Sequence, residues 1–382
     1  MSLQFITGNS GNGKTKYLFN RIVKEAKANP RDNYLVIVPE QFTMQTQRQL
    51  VDLSENKAIM NIDVLSFKRL AYRVFDELGI TNLTVLEETG KNLVLRKLAA
   101  QEADKLGVIG RNLNRIGYIS EVKSLLSELV QYNISPEELG RYIASGRLSD
   151  TLSDKLKDVL VLYEAFEKFM QDKYITAEEI LNVLSNVAEE SAILRNSVIA
   201  FDEFTGFTPI QNQLIKKLFV ISKKIYVTLT IDCREDIFKS RGMQELFDMP
   251  KRTVKSLTEM AAFYGIEVEE PIILDKNYRL AENEELSFME QQFFRKRRCS
   301  FKKVPKHIHI DCLRDPKQEL TKIARRINEL VRNENLRYRD IAIVTGDVNI
   351  YAGYVREIFD KYNIPYFIDA TQEILFHPFI EF

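Results

Sequence analysis

Gly8-Asn9-Ser10-Gly11-Asn12-Gly13-Lys14-Thr15 is the stretch on which the reading of this chain turns. It fits G-x-x-x-x-G-K-[ST], a loop whose backbone N–H groups cradle phosphate oxygens. Leu3-Gln4-Phe5-Ile6-Thr7 ahead of it reads as a short apolar strand. Behind it Tyr17, Leu18, Ile22 and Val23 recur at helical spacing. Gly8, Gly11 and Gly13 permit the tight turn and the close approach of backbone to ligand. The helix N-terminus adds unpaired donors and partial positive charge. In this chemistry Lys14 reaches the β- and γ-phosphates, and the Thr15 hydroxyl ligates Mg²⁺. A chance glycine-rich turn is the plain alternative. The order strand, loop, helix weighs against it.

The usual companion of such a loop is a carboxylate at the end of an apolar strand. Asp202-Glu203, after Val198-Ile-Ala-Phe201, fits that place. Asp202 would hold Mg²⁺ through water, and Glu203 would polarise the attacking water. An acidic strand-end turn is the alternative. Asn277-Tyr278-Arg279 offers a third piece. An arginine across the cleft stabilises γ-phosphate charge, and a tyrosine stacks on a base. An exposed arginine in a surface ion pair fits the same residues.

Composition narrows the class. The 382 residues suffice for two or three domains, and 45% hydrophobic content allows a large core. Lys and Arg number 54, as do Asp and Glu, so no global basic field advertises nucleic acid and any such surface must be local. Cys233, Cys299 and Cys312 are widely spaced with no C-x-x-C, which argues against a zinc or iron–sulfur site in this stretch. They read as reduced thiols, and the expected compartment is the cytoplasm. His307, His309 and His377 form no metal-ligand or triad pattern. No signal-like opening and no apolar run of membrane-spanning length occurs, so no membrane is expected as a partner.

Residues 1–84 read as α/β. Tyr34–Val38 is a buried-strand pattern, Ile62–Leu65 another, and a glutamine-rich helix begins near Thr43. Residues 85–191 switch to helical apolar spacing and read as an all-helical insertion domain. Strands return at 197–201 and 225–230 around a helix at 210–218, so the first domain resumes over 192–300. The basic run Arg295–Arg298 opens a further α/β unit, 301–382. Strands are expected at 308–312, 341–344 and 366–369, with helices at 317–332 and 351–362. The expected class is α/β: a P-loop domain with a parallel sheet, interrupted by helices and followed by the start of a second domain.

The series of segments is specific. The phosphate loop is followed by Val38-Pro-Glu-Gln-Phe-Thr43, then Val64-Leu-Ser-Phe67, a helical excursion, Phe201-Asp-Glu-Phe-Thr-Gly-Phe-Thr-Pro209, and Asn277-Tyr-Arg279. It resembles superfamily 1 helicases of the UvrD type, whose domains are RecA-like. It is more similar to the AddB (RexB) family, second subunits of bacterial AddAB helicase–nucleases. Gly117-Tyr-Ile-Ser-Glu121, Leu336-Arg-Tyr-Arg-Asp-Ile-Ala342 and Ile374-Leu-Phe-His-Pro378 are phrases of that family.

The resemblance implies a helicase-like, ATP- and DNA-binding part of a complex that processes double-strand breaks for recombinational repair. It implies an AddA-like partner subunit carrying the motor, and contact with single- and double-stranded DNA. It places a nuclease with an iron–sulfur cluster further along than Phe382. Residues around Gln41–Thr43 and Ser66–Phe67 match helicase motifs that touch single-stranded DNA. Two departures stand out. Seven residues precede Gly8, and the superfamily's adenine-reading glutamine motif is not among them. Thr230-Ile-Asp-Cys-Arg-Glu235 stands where a γ-phosphate-sensing glutamine is expected.

Phe42, Phe67, Lys68, Arg69, Tyr72 and Arg73 are the candidates for aromatic platforms in a basic groove. Burial of Phe67 and Tyr72 in the core is the competing reading. Three other functions stay open at this point: an autonomous ATP-driven translocase on single-stranded DNA, a phosphate-loop transferase acting on small molecules, and an architectural module with a vestigial nucleotide site.

Overall fold

The structure, a computed structural model, describes residues 1–80, 84–108, 110, 117–146, 148–170, 174–293, 295, 299–368 and 379. These fall into two compact units, residues 1–298 and 299–382.

The first unit is built on strands that are apolar on both faces, the signature of a parallel sheet covered on each side. The chain runs β1 (Ser2–Gly8), α1 (Lys14–Ala28), β2 (Tyr34–Ile37), α2 (Thr43–Leu53), β3 (Ile62–Leu65) and α3 (Phe67–Leu78). It then leaves the sheet through β4 (Val85–Leu86), α4 (Glu88–Gln101), α5 (Tyr118–Gln131), α6 (Pro136–Ala144) and α7 (Asp150–Met170). It returns through β5 (Ile175–Thr176) and α8 (Ile180–Val187) to β6 (Val198–Phe201), α9 (Pro209–Ile221), β7 (Lys224–Thr230), α10 (Asp248–Phe263), β8 (Glu267–Val268), β9 (Ile272–Leu274) and α11 (Glu284–Gln292).

Among the described residues the main sheet has seven strands in the order β3-β2-β6-β7-β1-β8, with β9 also paired to β1. Each of its pairings is parallel. Side chains alternate between two apolar layers, as the period of two requires. Leu3, Phe5, Leu35, Ile37, Ile199 and Phe201 meet α3, α8, α9 and α10. Ile6, Tyr34, Val36, Val198, Ala200 and Tyr226 meet α1 and α2. The helical excursion has a core of its own, with Leu95, Leu126, Leu162 and Phe166 at its centre. Its entrance and exit are clipped by a two-stranded parallel ladder, Val85 to Ile175 and Leu86 to Thr176. α8, which sequence periodicity groups with these helices, packs Ile180 and Leu184 into the sheet's core.

The second unit contains α12 (Pro316–Asn333) and α13 (Val348–Lys361), packed through Leu320, Ala324, Ile327, Ile358 and Phe359. The helices fall where periodicity places them. The strands expected at 308–312 and 341–344 do not form, nor does the described part of 366–369. An apolar run becomes a strand only through ladder bonds, and these runs have none: Ile310, Val344 and Phe367 stay about nine-tenths exposed, at 94%, 92% and 89%. Among the described residues no helix is long and apolar enough to cross a membrane.

Leu214 on α9 is fully buried against the sheet. Leu214→Ala should lower the unfolding free energy by about 2–5 kcal/mol through the lost transfer term and the residual cavity. Denaturant titration checks this; a cost under about 1 kcal/mol would mean that α9 does not close the core.

Candidate phosphate-binding site

Parallel register puts the chemistry at one end of the sheet. Gly8 lies beside Thr230, and Phe201 beside Val227, so the loop after β1 and the acidic turn after β6 leave from the same carboxyl edge. The N-termini of α3, α6, α9, α11, α12 and α13 carry side-chain caps, from Ser66, Ser135, Thr208, Asn283, Asp315 and Asp347. α1 begins at Gly13 with no side-chain cap, as α2, α4, α5, α8 and α10 begin without one. What sets α1 apart is that its N-terminus opens on the cavity described below.

Gly11 shows why the loop needs glycine. Its φ is 88°, and a Cβ there would stand 2.8 Å from both Arg279 Cβ and Asn277 Oδ1. Gly8 is crowded differently: a Cβ would meet the Leu274 carbonyl at 2.6 Å. The returning segment thus lies directly on the loop. The Asn277 amide donates to the Ser10 carbonyl at 3.0 Å, and the Tyr278 and Arg279 N–H groups donate to the Gly11 carbonyl at 3.0 and 3.3 Å.

A cavity of about 670 Å³ opens over the loop, lined by Lys14, Thr15, Asp202, Glu203, Tyr278 and Arg279 among others. The Lys14 ammonium donates to the Gly8 and Asn9 carbonyls at 3.1 and 3.0 Å. Burial pushes its pKa down; Glu203 and Asp202 oppose that shift, and Arg279 adds to it. The Arg279 guanidinium has no hydrogen-bond or ion-pair partner among the described residues, so the ion-pair alternative for it finds no support. Two cations facing one cavity with no carboxylate bonded to either suit an anion on that wall. Tyr278 is 64% exposed, its ring beside Gly13 and under the Lys276 ammonium at 5.0 Å.

On the opposite wall the Thr15 hydroxyl sits 3.3 Å from both Asp202 Oδ1 and Glu203 Oε1. Asp202 is 1% exposed, and Oδ1 also accepts from the Thr228 hydroxyl. Its Oδ2 is buried with no partner. Burial drives its pKa up most, the Thr228 bond pulls back, and the Glu203 charge adds to the rise; the net value is about 6. An orphaned carboxylate oxygen next to a hydroxyl is a donor set that suits a hard cation carrying its own water. Glu203 itself has φ 64°, a left-handed turn that tips its side chain toward Thr15.

Sequence reasoning missed Thr228, although a threonine inside the apolar run of β7 was a visible signal. It also missed Asn9 as a tethered side chain, which nothing local to the loop could reveal. The aromatic candidates separate. Phe67 is 7% exposed and packs on Phe201, Phe204 and Phe207 at 5.9, 5.6 and 6.3 Å. Core packing wins over the stacking platform because the apolar face of α3 must be buried. Thr43 and Ser66 are buried, and Phe42 is half-buried. Arg69 pairs with Glu40 at 3.0 Å and Arg73 with Asp63 at 3.8 Å. Tyr72 and Lys68 are exposed. An aromatic–basic group that sequence reading passed over lies between β7 and α10, where Phe238 is 46% exposed beside Lys239 and Arg241, which are exposed and pair with Asp236 at 3.2 Å and Glu245 at 3.6 Å. In the basic run Arg295–Arg298, Arg295 bonds to Asp232 at 2.9 Å and the remaining three lie outside the described residues, as does the phrase 374–378.

Comparison with known proteins places these features in company. A family model described as ADDB, N-terminal, matches residues 5–290. The chain is 38% identical over 387 residues to the B subunit of an ATP-dependent helicase/deoxyribonuclease of Lachnoclostridium phytofermentans, covering all of this chain and 34% of that protein. Proteins of the same description from Clostridium tetani and Clostridioides difficile are each 33% identical, over 98% and 100% of this chain and 33% of their own length. The chain thus spans about a third of the curated relatives it matches.

The raised pKa of Asp202 has a stability consequence. A carboxyl at about 6 in the fold and 3.8 unfolded favours folding below pH 3.8, and that contribution is lost as pH rises through 6. Asp202→Asn removes the buried charge, so its stability relative to wild type should grow from pH 5 to pH 8 by about 1–1.5 kcal/mol. Thermal melts without Mg²⁺ across that range check it; a pH-independent difference would contradict the burial assignment.

Proposed function

The chain belongs to the family of AddB N-terminal parts, and from that premise we propose that it binds ATP with Mg²⁺ and DNA as the helicase-like part of a helicase–nuclease subunit. The observation that carries the nucleotide reading is the cavity between Lys14 and Arg279 on one wall and Thr15, Asp202 and Glu203 on the other. The main-chain amides from Gly8 to Thr15 take the β- and γ-phosphates. Lys14 turns from its two loop carbonyls to the phosphate oxygens, and Arg279 neutralises charge that builds on the γ-phosphate. Thr15 and Asp202 would hold Mg²⁺, which would supply neutralisation of phosphate charge when bound. Glu203 orients a water for in-line attack and accepts its proton. Tyr278 offers an exposed face to the base.

The whole-protein reading follows the names of the relatives, which are ATP-dependent and are subunits. We assign this chain to an assembly with an AddA-like partner that processes broken DNA for recombinational repair. In the same reading 1–84 and 192–300 form a RecA-like domain, 85–191 an inserted helical domain and 301–382 the beginning of a second RecA-like domain. Phe238, Lys68 and Tyr72 are exposed groups suited to single-stranded DNA, with Lys239 and Arg241 beside Phe238 exchanging their carboxylate partners for phosphate.

Binding of a non-hydrolysable ATP analogue with Mg²⁺, with and without single-stranded DNA, tests the proposal. Wild type should bind, and Lys14→Ala should weaken binding about 10- to 100-fold, the worth of charge-assisted hydrogen bonds. DNA binding should fall steeply with added salt. No analogue binding by wild type would favour a vestigial site. DNA-stimulated turnover abolished by Glu203→Gln would instead make the chain a motor in its own right.

A further inference from the structure

Every residue from Asn9 to Asn12 is tied to a segment more than 260 positions away. Ser10 and Gly11 bond to Asn277, Tyr278 and Arg279 as described, and the Asn12 amide donates to the Leu274 carbonyl at 2.5 Å. Asn9 is the most fully engaged. It is 5% exposed. Its side-chain amide donates to Glu290 Oε1 on α11 at 2.7 Å, and its side-chain carbonyl accepts from the Cys233 N–H at 2.9 Å. Around this tie, Arg234 donates to the Gln291 carbonyl at 3.1 Å and to Asp232, which Arg295 also holds. Burial alone would raise the Asp232 carboxyl, but the two arginines win and take it down to about 2, so this brace stays charged.

Lys14 has a competing role in the same place. It bonds to the carbonyls of Gly8 and Asn9. When its ammonium leaves for a phosphate, each carbonyl loses one of two donors and keeps a backbone one, the Ile231 N–H at 3.3 Å for Gly8 and the Asn12 N–H at 3.2 Å for Asn9. The Asn9 side chain, beside the ties of Ser10, Gly11 and Asn12 to residues 274–279, then carries more of the position of the loop's first turn. We propose that Glu290 is a positioning residue for the nucleotide site: it fixes Asn9, and through Asn9 the loop's phosphate-facing amides, while Lys14 is engaged with ligand. This rests on the nucleotide reading above. Preorganised donors outperform donors that must be ordered on binding.

Two variants of Glu290 separate geometry from charge. Glu290→Gln keeps an acceptor for the Asn9 amide and removes the negative charge. Glu290→Ala removes both. With Mg²⁺ and a non-hydrolysable ATP analogue as probe, Glu290→Ala should bind about tenfold more weakly than wild type and Glu290→Gln within about threefold, matching one hydrogen bond to a charged group. Melting temperatures without nucleotide, measured alongside, should fall together by no more than a few degrees. Equal affinity for all three proteins would overturn the role, and so would equal weakening of both variants, which would make Glu290 a matter of charge. If wild type binds no analogue at all, the nucleotide reading fails first and the role falls with it.

Discussion

The parallel ladder between β1 and β7 is the constraint on which the rest depends. It aligns Gly8 with Thr230 along seven paired positions. β6 sits on the other side of β7, so Asp202 leaves the sheet within reach of Thr15 and Thr228. A slip of one residue would turn every strand side chain to the opposite layer and carry Asp202 away from the loop. Shape rather than polarity resists the slip: β2 and β6 are buried along their whole length, and side chains fitted to one helical layer do not fit the other.

Burial that secures the register also strains the site. Asp202 is held in the core with one oxygen unpartnered, and Lys14 lies in a place that disfavours its charge. Both tensions have the same remedy, since a cation beside Asp202 and an anion beside Lys14 restore what water would have supplied. In the proposed reading the ligand carries both signs, as a metal-bound polyphosphate does.

Much of this was legible beforehand because its signals are local. The phosphate loop, the acidic pair and the strands around them announce themselves in runs of fewer than ten residues. The returning segment is different. Asn277-Tyr278-Arg279 could be picked out by type, but its backbone contact with Gly11 comes from β9 pairing with β1, a pairing that three apolar residues, Ile272–Leu274, barely signal. Phe67 could be read either way until Phe204 and Phe207 were seen to close over it. The apolar runs at 308–312 and 341–344 show the reverse error: strand-like composition without a ladder to join.

The small ladder of β4 and β5 has a consequence for how the helical excursion relates to the sheet. Val85 and Ile175 stand side by side although ninety positions separate them in sequence. Everything between them, including a self-contained apolar core, begins and ends at one point on the surface of the α/β body. Closing such a gap with a short turn costs little chain entropy, because its two ends already meet. The excursion is in effect a cassette, spliced into the α/β body where its two ends meet.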